Sequence, residues 1–240
     1  TTEMLRSRAE EAKDTELLAG LASVTHDYYR INRMLSNVTL IRSINDGSLF
    51  FVPRPTDLAA LLAQLTDTVN LISDGPRVVY SGPEELTVSI DPALAENLVL
   101  NLISNSLTHA AGCTRVSLRL IEDHERVVIS VNDDGCGIAP EKLHFVFDRY
   151  RHGFGISDID HGAGLGLTAA LAIANLHGGT LLLESREEVG TTVRASFSRN
   201  PVPSQKLYAA QEEPERGMRT LLTGLADCLP DRCFGERYAE

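Results

Sequence analysis

The chain has 240 residues and a formal net charge of −11, with 22 Lys and Arg against 33 Asp and Glu. That balance argues against a nucleic-acid-binding face, which needs clustered cations opposite phosphates, and favours solubility and a basic partner. Its 43% hydrophobic content is that of an ordinary globular chain of roughly one to two domains, and it has no run of about 18 apolar residues to cross a bilayer. No secretory signal pattern is present. Cys113, Cys136, Cys228 and Cys233 form no CxxC pair and no zinc set, so they are expected as reduced thiols in a cytosolic protein.

Residues 1–14 are charged and helix-favouring. From Leu17 an apolar seam runs through Leu21, Val24, Tyr28, Ile31, Leu35 and Val38, alternating four and three residues apart. That is the spacing of two helices packed along a common line. It predicts a dimerising helix, or part of a helical hairpin, to about Asn45, stopped by Asp46-Gly47. LFFV at 49–52 reads as a short strand, and Pro53 and Pro55 then interrupt the chain. Thr56 or Asp57 is placed to cap a helix over 57–72. Strands follow at RVVYSG and LTVSI, and a helix from Asp91-Pro92 to about Ala110. RVSLRLIED and RVVISVND are expected to pair as a hairpin. Asp148 to His161 lacks an apolar period and reads as a loop, ahead of a helix over 164–176 and two last strands, TLLLES and TTVRASFS. Pro201 and Pro203 mark a linker to a tail with one helix at 215–228. The division is therefore 1–47, a dimerisation helix or partial hairpin; 48–200, a catalytic domain; and 201–240, a C-terminal appendage.

Four short motifs stand in order between residues 97 and 192. NLVLNLISNSLTHA places Asn101 and Asn105 one helical turn apart in an apolar helix, where buried amides need partners. DDGCGI puts Asp133 at a strand end before Gly135 and Gly137. GAGLGL brings Gly162, Gly164, Leu165 and Gly166 to a helix start, where outward N–H groups and the helix dipole favour phosphate. It is neither a Walker A loop, since no Gly-Lys-Ser or Gly-Lys-Thr follows, nor a dinucleotide fingerprint. The fourth motif is Gly190-Thr191-Thr192.

Together these motifs resemble the ATP-binding fold shared by sensor histidine kinases, DNA gyrase and the large ATP-dependent heat-shock chaperones, over about residues 49–198, with the histidine kinase branch the best match. The resemblance implies an α+β fold: a two-layer α/β sandwich, a mixed sheet with helices on one face, behind the long N-terminal helix. It implies ATP and Mg2+ as cofactors, with Asn105 as the metal ligand and Asn101 beside a phosphate or a magnesium-bound water. Asp133 would accept from the exocyclic amine of adenine, Gly135 and Gly137 would let the backbone pass close to the ring, and Thr192 would share the adenine site. VFDRYRHG resembles the base of an ATP lid, Phe147 anchoring it, Tyr150 packing near the nucleotide, and Arg149 and Arg151 reaching the phosphates.

Where gyrase relatives carry a water-activating glutamate, Asn101 is an amide and a poor base, which favours phosphoryl transfer to a protein side chain over hydrolysis. The implied activity is transfer of the γ-phosphate to a protein histidine and on to a response-regulator receiver domain, within a homodimer. A cytoplasmic location follows, the intracellular part of a membrane-bound sensor being one form of it. Two departures keep a rival open, a degenerate ATP-binding module that regulates a partner. The stretch after Asn105, Ser106-Leu107-Thr108-His109, lacks the usual Lys or Arg. His26, followed by Asp27 as in a phosphoacceptor box and expected to be exposed opposite the seam, lacks the Pro-Leu sequence that normally follows and lies where the second hairpin helix is expected. The acceptor helix is then upstream of Thr1 or absent. A serine-phosphorylating relative, resembling the anti-sigma-factor kinases, is disfavoured by the heptad helix.

Overall fold

Asp14 opens the first helix by accepting from the Leu17 N–H, and α1 runs Thr15–Asn45. It ends as the Asp46-Gly47 pair predicts, Gly47 taking the left-handed conformation at φ +67°. The computed structural model describes residues 14–143, 146, 165–200 and 217–234.

The expected strand at 49–52 is not formed. Phe51 is instead a buried plug against the His177 ring, and the strand begins later, at Arg54–Asp57 (β1). β1 pairs antiparallel with Thr87–Ile90 (β3) in a two-stranded ribbon, where Pro55 is tolerated because an edge strand can spare an N–H. Asp57, the predicted cap, accepts from Ala60 and from Leu86, closing both the start of α2 (Leu58–Ile72) and the return of the ribbon.

The main sheet has five strands: β2 (Arg77–Ser81), β4 (Arg115–Glu122), β5 (Arg126–Asp133), β6 (Leu181–Arg186) and β7 (Gly190–Ser198). Their order is β2-β4-β5-β7-β6, parallel between β2 and β4 and antiparallel elsewhere. Strand alternation sends Val116, Leu118, Leu120, Ile129, Val131, Ala195 and Phe197 to one face, where all are buried. On that face lie α2, α3 (Pro92–His109) and α4 (Leu165–Leu176). The opposite face carries exposed residues such as Arg119, Ile121 and Leu182. This is the expected two-layer α+β sandwich.

The C-terminal segment departs from expectation. Its helix, α5 (Met218–Gly224), is shorter than predicted and gives way to a turn and a 3-10 helix at Asp231–Phe234. Gly224 lies so close to Leu100 of α3 that a Cβ there would stand 2.8 Å from its Cδ1. The segment is no loose appendage: Leu221, Leu222, Leu225, Ala226, Leu229, Cys233 and Phe234 are all buried in the common core. The predicted linker at Pro201 and Pro203 lies outside the described residues.

α1 has two apolar faces with different fates. Of the predicted seam only Leu21 is buried, while Leu17, Val24, Tyr28, Ile31, Leu35 and Val38 are exposed. The inner face, through Ala22, Tyr29, Arg33 and Asn37, packs on α4 and the C-terminal segment and hydrogen-bonds to α3 through Arg33 and Asn37. Among the described residues no helix is long and apolar enough to cross a membrane.

Candidate nucleotide site

Asp133 is the final residue of β5 and only 4% exposed. Oδ1 accepts from the Gly135 N–H at 3.3 Å and the Thr191 N–H at 3.1 Å, and Oδ2 from the Ser106 hydroxyl at 3.1 Å. A carboxylate has about four acceptor sites, so three donors leave room for one more N–H. Ser106 belongs to α3, so this triad ties the end of the sheet to the helix that bears the asparagines. Neighbouring Asp134 turns outward to Thr114 and Arg115, whose N–H and hydroxyl groups hold its carboxyl well below the usual range.

The glycines after Asp133 are required by protein contacts as much as by any ligand. A Cβ on Gly135 would lie 2.4 Å from the Ala110 Cβ at the end of α3. Gly137 has φ +66°, and a Cβ there would meet the Arg186 carbonyl at 2.1 Å. The DDGCGI turn is thus wedged between α3 and the β6–β7 hairpin.

Register places Thr191, rather than Thr192, beside Asp133. Thr192 stands opposite Asn132 and accepts from its amide at 2.7 Å. Side chains alternate faces along a strand, so Thr191 shares the Asp133 side and Thr192 the other. Ser106 and Thr191 were not singled out in the sequence. The period-2 rule counted back from Gly190 would have found Thr191, whereas Ser106 needed the helix-to-strand packing.

Asn105 is half-buried on α3, and its amide makes no hydrogen bond among the described residues. That leaves an oxygen suited to a hard cation. Asn101, one turn earlier and 2% exposed, is already engaged. Its Oδ1 accepts from Arg33 at 3.2 Å and Asn37 at 3.3 Å, and its Nδ2 donates to Asn97 at 2.9 Å and Asn37 at 3.4 Å. The two asparagines therefore differ in their contacts: Asn101 fastens α3 to α1, and Asn105 has no hydrogen bond among the described residues. Gly166 packs against Asn101, a Cβ there standing 3.0 Å from its Oδ1. Leu165 begins α4 beside it. Phe147, Arg149, Tyr150, Arg151, Gly162 and Gly164 lie outside the described residues.

His26 is not the exposed side chain that was expected. It is 17% exposed and stacks on Phe234, ring centroids 4.5 Å apart. Nδ1 lies 2.5 Å from Asp231 Oδ1 and Nε2 lies 2.6 Å from the Ala226 carbonyl. The cover comes from residues some 200 positions away in sequence, which no helical periodicity can reveal.

The buried strand-end aspartate and the asparagine-bearing helix thus stand together on the helix-covered face of the sandwich. Residues 90–201 match the family described as Histidine kinase-, DNA gyrase B-, and HSP90-like ATPase. The chain is 29% identical over 180 residues to the signal transduction histidine-protein kinase AfsQ2 of Streptomyces coelicolor, covering 75% of this chain and 33% of that protein. Among solved structures, the ATP binding domain of PrrB from Mycobacterium tuberculosis aligns at TM-score 0.50 with 25% identity, over 62% of this chain and 98% of that one. The Acinetobacter baumannii histidine kinase AdeS aligns at TM-score 0.60 over 83% of this chain and 95% of that one; at 17% identity this likeness is one of fold. The chain spans a third or less of the length of the curated relatives first matched.

Proposed function

We propose that this chain is the catalytic core of a sensor histidine kinase, binding Mg-ATP on residues 48–200 and transferring the γ-phosphate to a protein histidine. The observation that carries this reading is Asp133: a buried carboxylate at a strand end, with three donors and one acceptor site to spare, next to the Asn105 helix. The residues fit both cofactors. Asp133, with Thr191 beside it, would hold the adenine amine. The open Asn105 oxygen would ligate Mg2+, which supplies charge neutralisation at the triphosphate when bound. Asn101 cannot act as a base towards water, since an amide has no useful basicity, so the chain's own contribution is to position and neutralise. Thr192 is a less direct neighbour of the base than its position in the motif suggests. Arg149 and Arg151, with Gly162 and Gly164, are assigned to the phosphates by the motif.

The exposed seam of α1 supports a homodimer through residues 1–47. The receiving partner would be a response-regulator receiver domain, and the setting cytoplasmic. Incubation with γ-labelled Mg-ATP tests the reading. Acid-labile label on the chain, or on an added histidine-bearing hairpin, supports a kinase, and Asn105→Ala should abolish both the label and magnesium-dependent nucleotide binding. Unchanged nucleotide affinity in that variant removes the metal role of Asn105.

One observation favours the second reading, a nucleotide-binding module that regulates a partner without phosphorylating itself. Both nitrogens of His26, the acceptor candidate on this chain, already face oxygen atoms under Phe234. Nucleotide binding without transfer to any hairpin would establish that reading.

A further inference from the structure

Arg33 lies on the inner face of α1, 6% exposed, where α1, α3, α4 and the C-terminal segment meet. Its guanidinium donates to Ser104 Oγ at 2.7 Å and Asn101 Oδ1 at 3.2 Å, both on α3. It also reaches the first turn of α4: a Cβ on Gly166 would stand 3.5 Å from its Nη2. A guanidinium stays charged, and one this deeply buried requires an anion. Burial lowers its pKa, and the carboxylate of Asp227 opposes that shift. Asp227 Oδ2 is 2.5 Å away and belongs to the C-terminal segment.

We propose that Arg33 is a cation of the nucleotide's phosphate end, and that Asp227 competes with the terminal phosphate for it, so that the C-terminal segment sets the affinity for ATP. This rests on the nucleotide reading above.

Three observations carry it. Arg33 touches Asn101 and adjoins Gly166, and these belong to the two motifs read as facing the phosphates. The stretch after Asn105 offers only Ser106, Leu107, Thr108 and His109, so no Arg or Lys stands there and Arg33 fills the gap from another helix. Beside Arg33 lies a cavity of about 400 Å³ between α1, α3 and α5, lined by Asn37, Asn97, Asn101 and Arg219 among others and, among the described residues, by no carboxylate. The planar fork of an arginine matches carboxylate and phosphate alike, so one can replace the other. Asp227 has a second cation to turn to when a phosphate takes its place. Its side chain is 28% exposed, and Arg30 Nε lies 3.4 Å from its Oδ1 on the solvent side.

The exchange predicts that Arg33 distinguishes ATP from ADP. The test is calorimetric binding of Mg-ATP and Mg-ADP to the full chain, in wild type, Arg33→Gln, Arg33→Lys and Asp227→Asn, each checked for folding by its melting transition. Arg33→Gln should lower the preference for ATP over ADP about tenfold, the worth of a hydrogen bond to a charged group, with ADP affinity kept. Arg33→Lys should fall between, keeping charge but losing the fork. Asp227→Asn should raise the preference by a similar factor, and it carries the test alone if Arg33→Gln does not fold. An unchanged ratio in the folded variants, with both nucleotides bound, overturns the role of Arg33 and leaves the nucleotide reading standing. Failure of the wild type to bind either nucleotide overturns both.

Discussion

At the scale of single residues, Asp133 and His177 show two ways of burying a polar group. Asp133 collects donors from β7, from its own turn and from α3. Asp133→Asn is a near-isosteric exchange: the amide oxygen can keep the two N–H donors, and the Ser106 hydroxyl can turn to accept from the new NH2 group. Folding should survive with little change in melting temperature. The NH2 cannot accept from an adenine amine, so ATP affinity should fall about tenfold or more in a titration, with less discrimination against GTP. His177 is 2% exposed, accepts from the Asp91 N–H at Nε2 (3.0 Å) and donates to the Ile173 carbonyl from Nδ1 (2.8 Å), which is the neutral ring. Burial pushes its pKa below 6.5. Above that value the folded and unfolded rings are both neutral and contribute no pH dependence. As pH falls through it the unfolded chain takes up a proton that the folded chain refuses, so stability declines. Urea midpoints measured between about pH 7.5 and 5 should fall, and His177→Gln should flatten that part of the slope.

Among the elements, α1 is the one whose sequence pattern and packing differ most. The heptad seam was legible because six of its seven residues are aliphatic, yet all of the seam except Leu21 is left exposed. The face it does bury mixes Ala22 and Tyr29 with Arg33 and Asn37, so its apolar signal is interrupted. A seam of that kind suits a second copy of the helix. Placing Asp at both Ile31 and Leu35 should therefore dissociate the proposed dimer, read as a halved mass in sedimentation equilibrium. Circular dichroism should stay unchanged, because both positions are more than half exposed in the single chain. β1 shows the opposite case. LFFV has strand propensity, but Phe51 gains more by filling the space against His177, and the ladder forms instead through a proline-bearing stretch that pairs with β3.

For the whole molecule, the decisive feature is the return of the C-terminal segment over α1 and α3. It joins the ends of the chain through the His26–Phe234 stack, the Arg33–Asp227 pair and the contact of Arg232 with Asp74. Phe234 is fully buried, so Phe234→Ala should cost about 3–5 kcal/mol in urea unfolding, as other large-to-small core changes do. It should also open His26 to diethylpyrocarbonate; a protected His26 in that variant would mean that the stack is not its cover. The resemblance carried by the four motifs implied the sandwich, while the sequence by itself determined the helix start at Asp91-Pro92, the choice of Thr56 or Asp57 as the cap of α2, the stop at Asp46-Gly47 and the order of the nucleotide motifs. Each of these is a local pattern of period, cap or turn, set by residues within a few positions of one another. Only the tertiary structure decided that Asn101 is spent on α1 while Asn105 has no hydrogen bond among the described residues, that Thr191 rather than Thr192 faces Asp133, and that His26 is covered. These depend on strand register and on contacts between segments some 200 residues apart, and the energy of such contacts lies in burial and charge pairing, which leave no periodic trace in the chain.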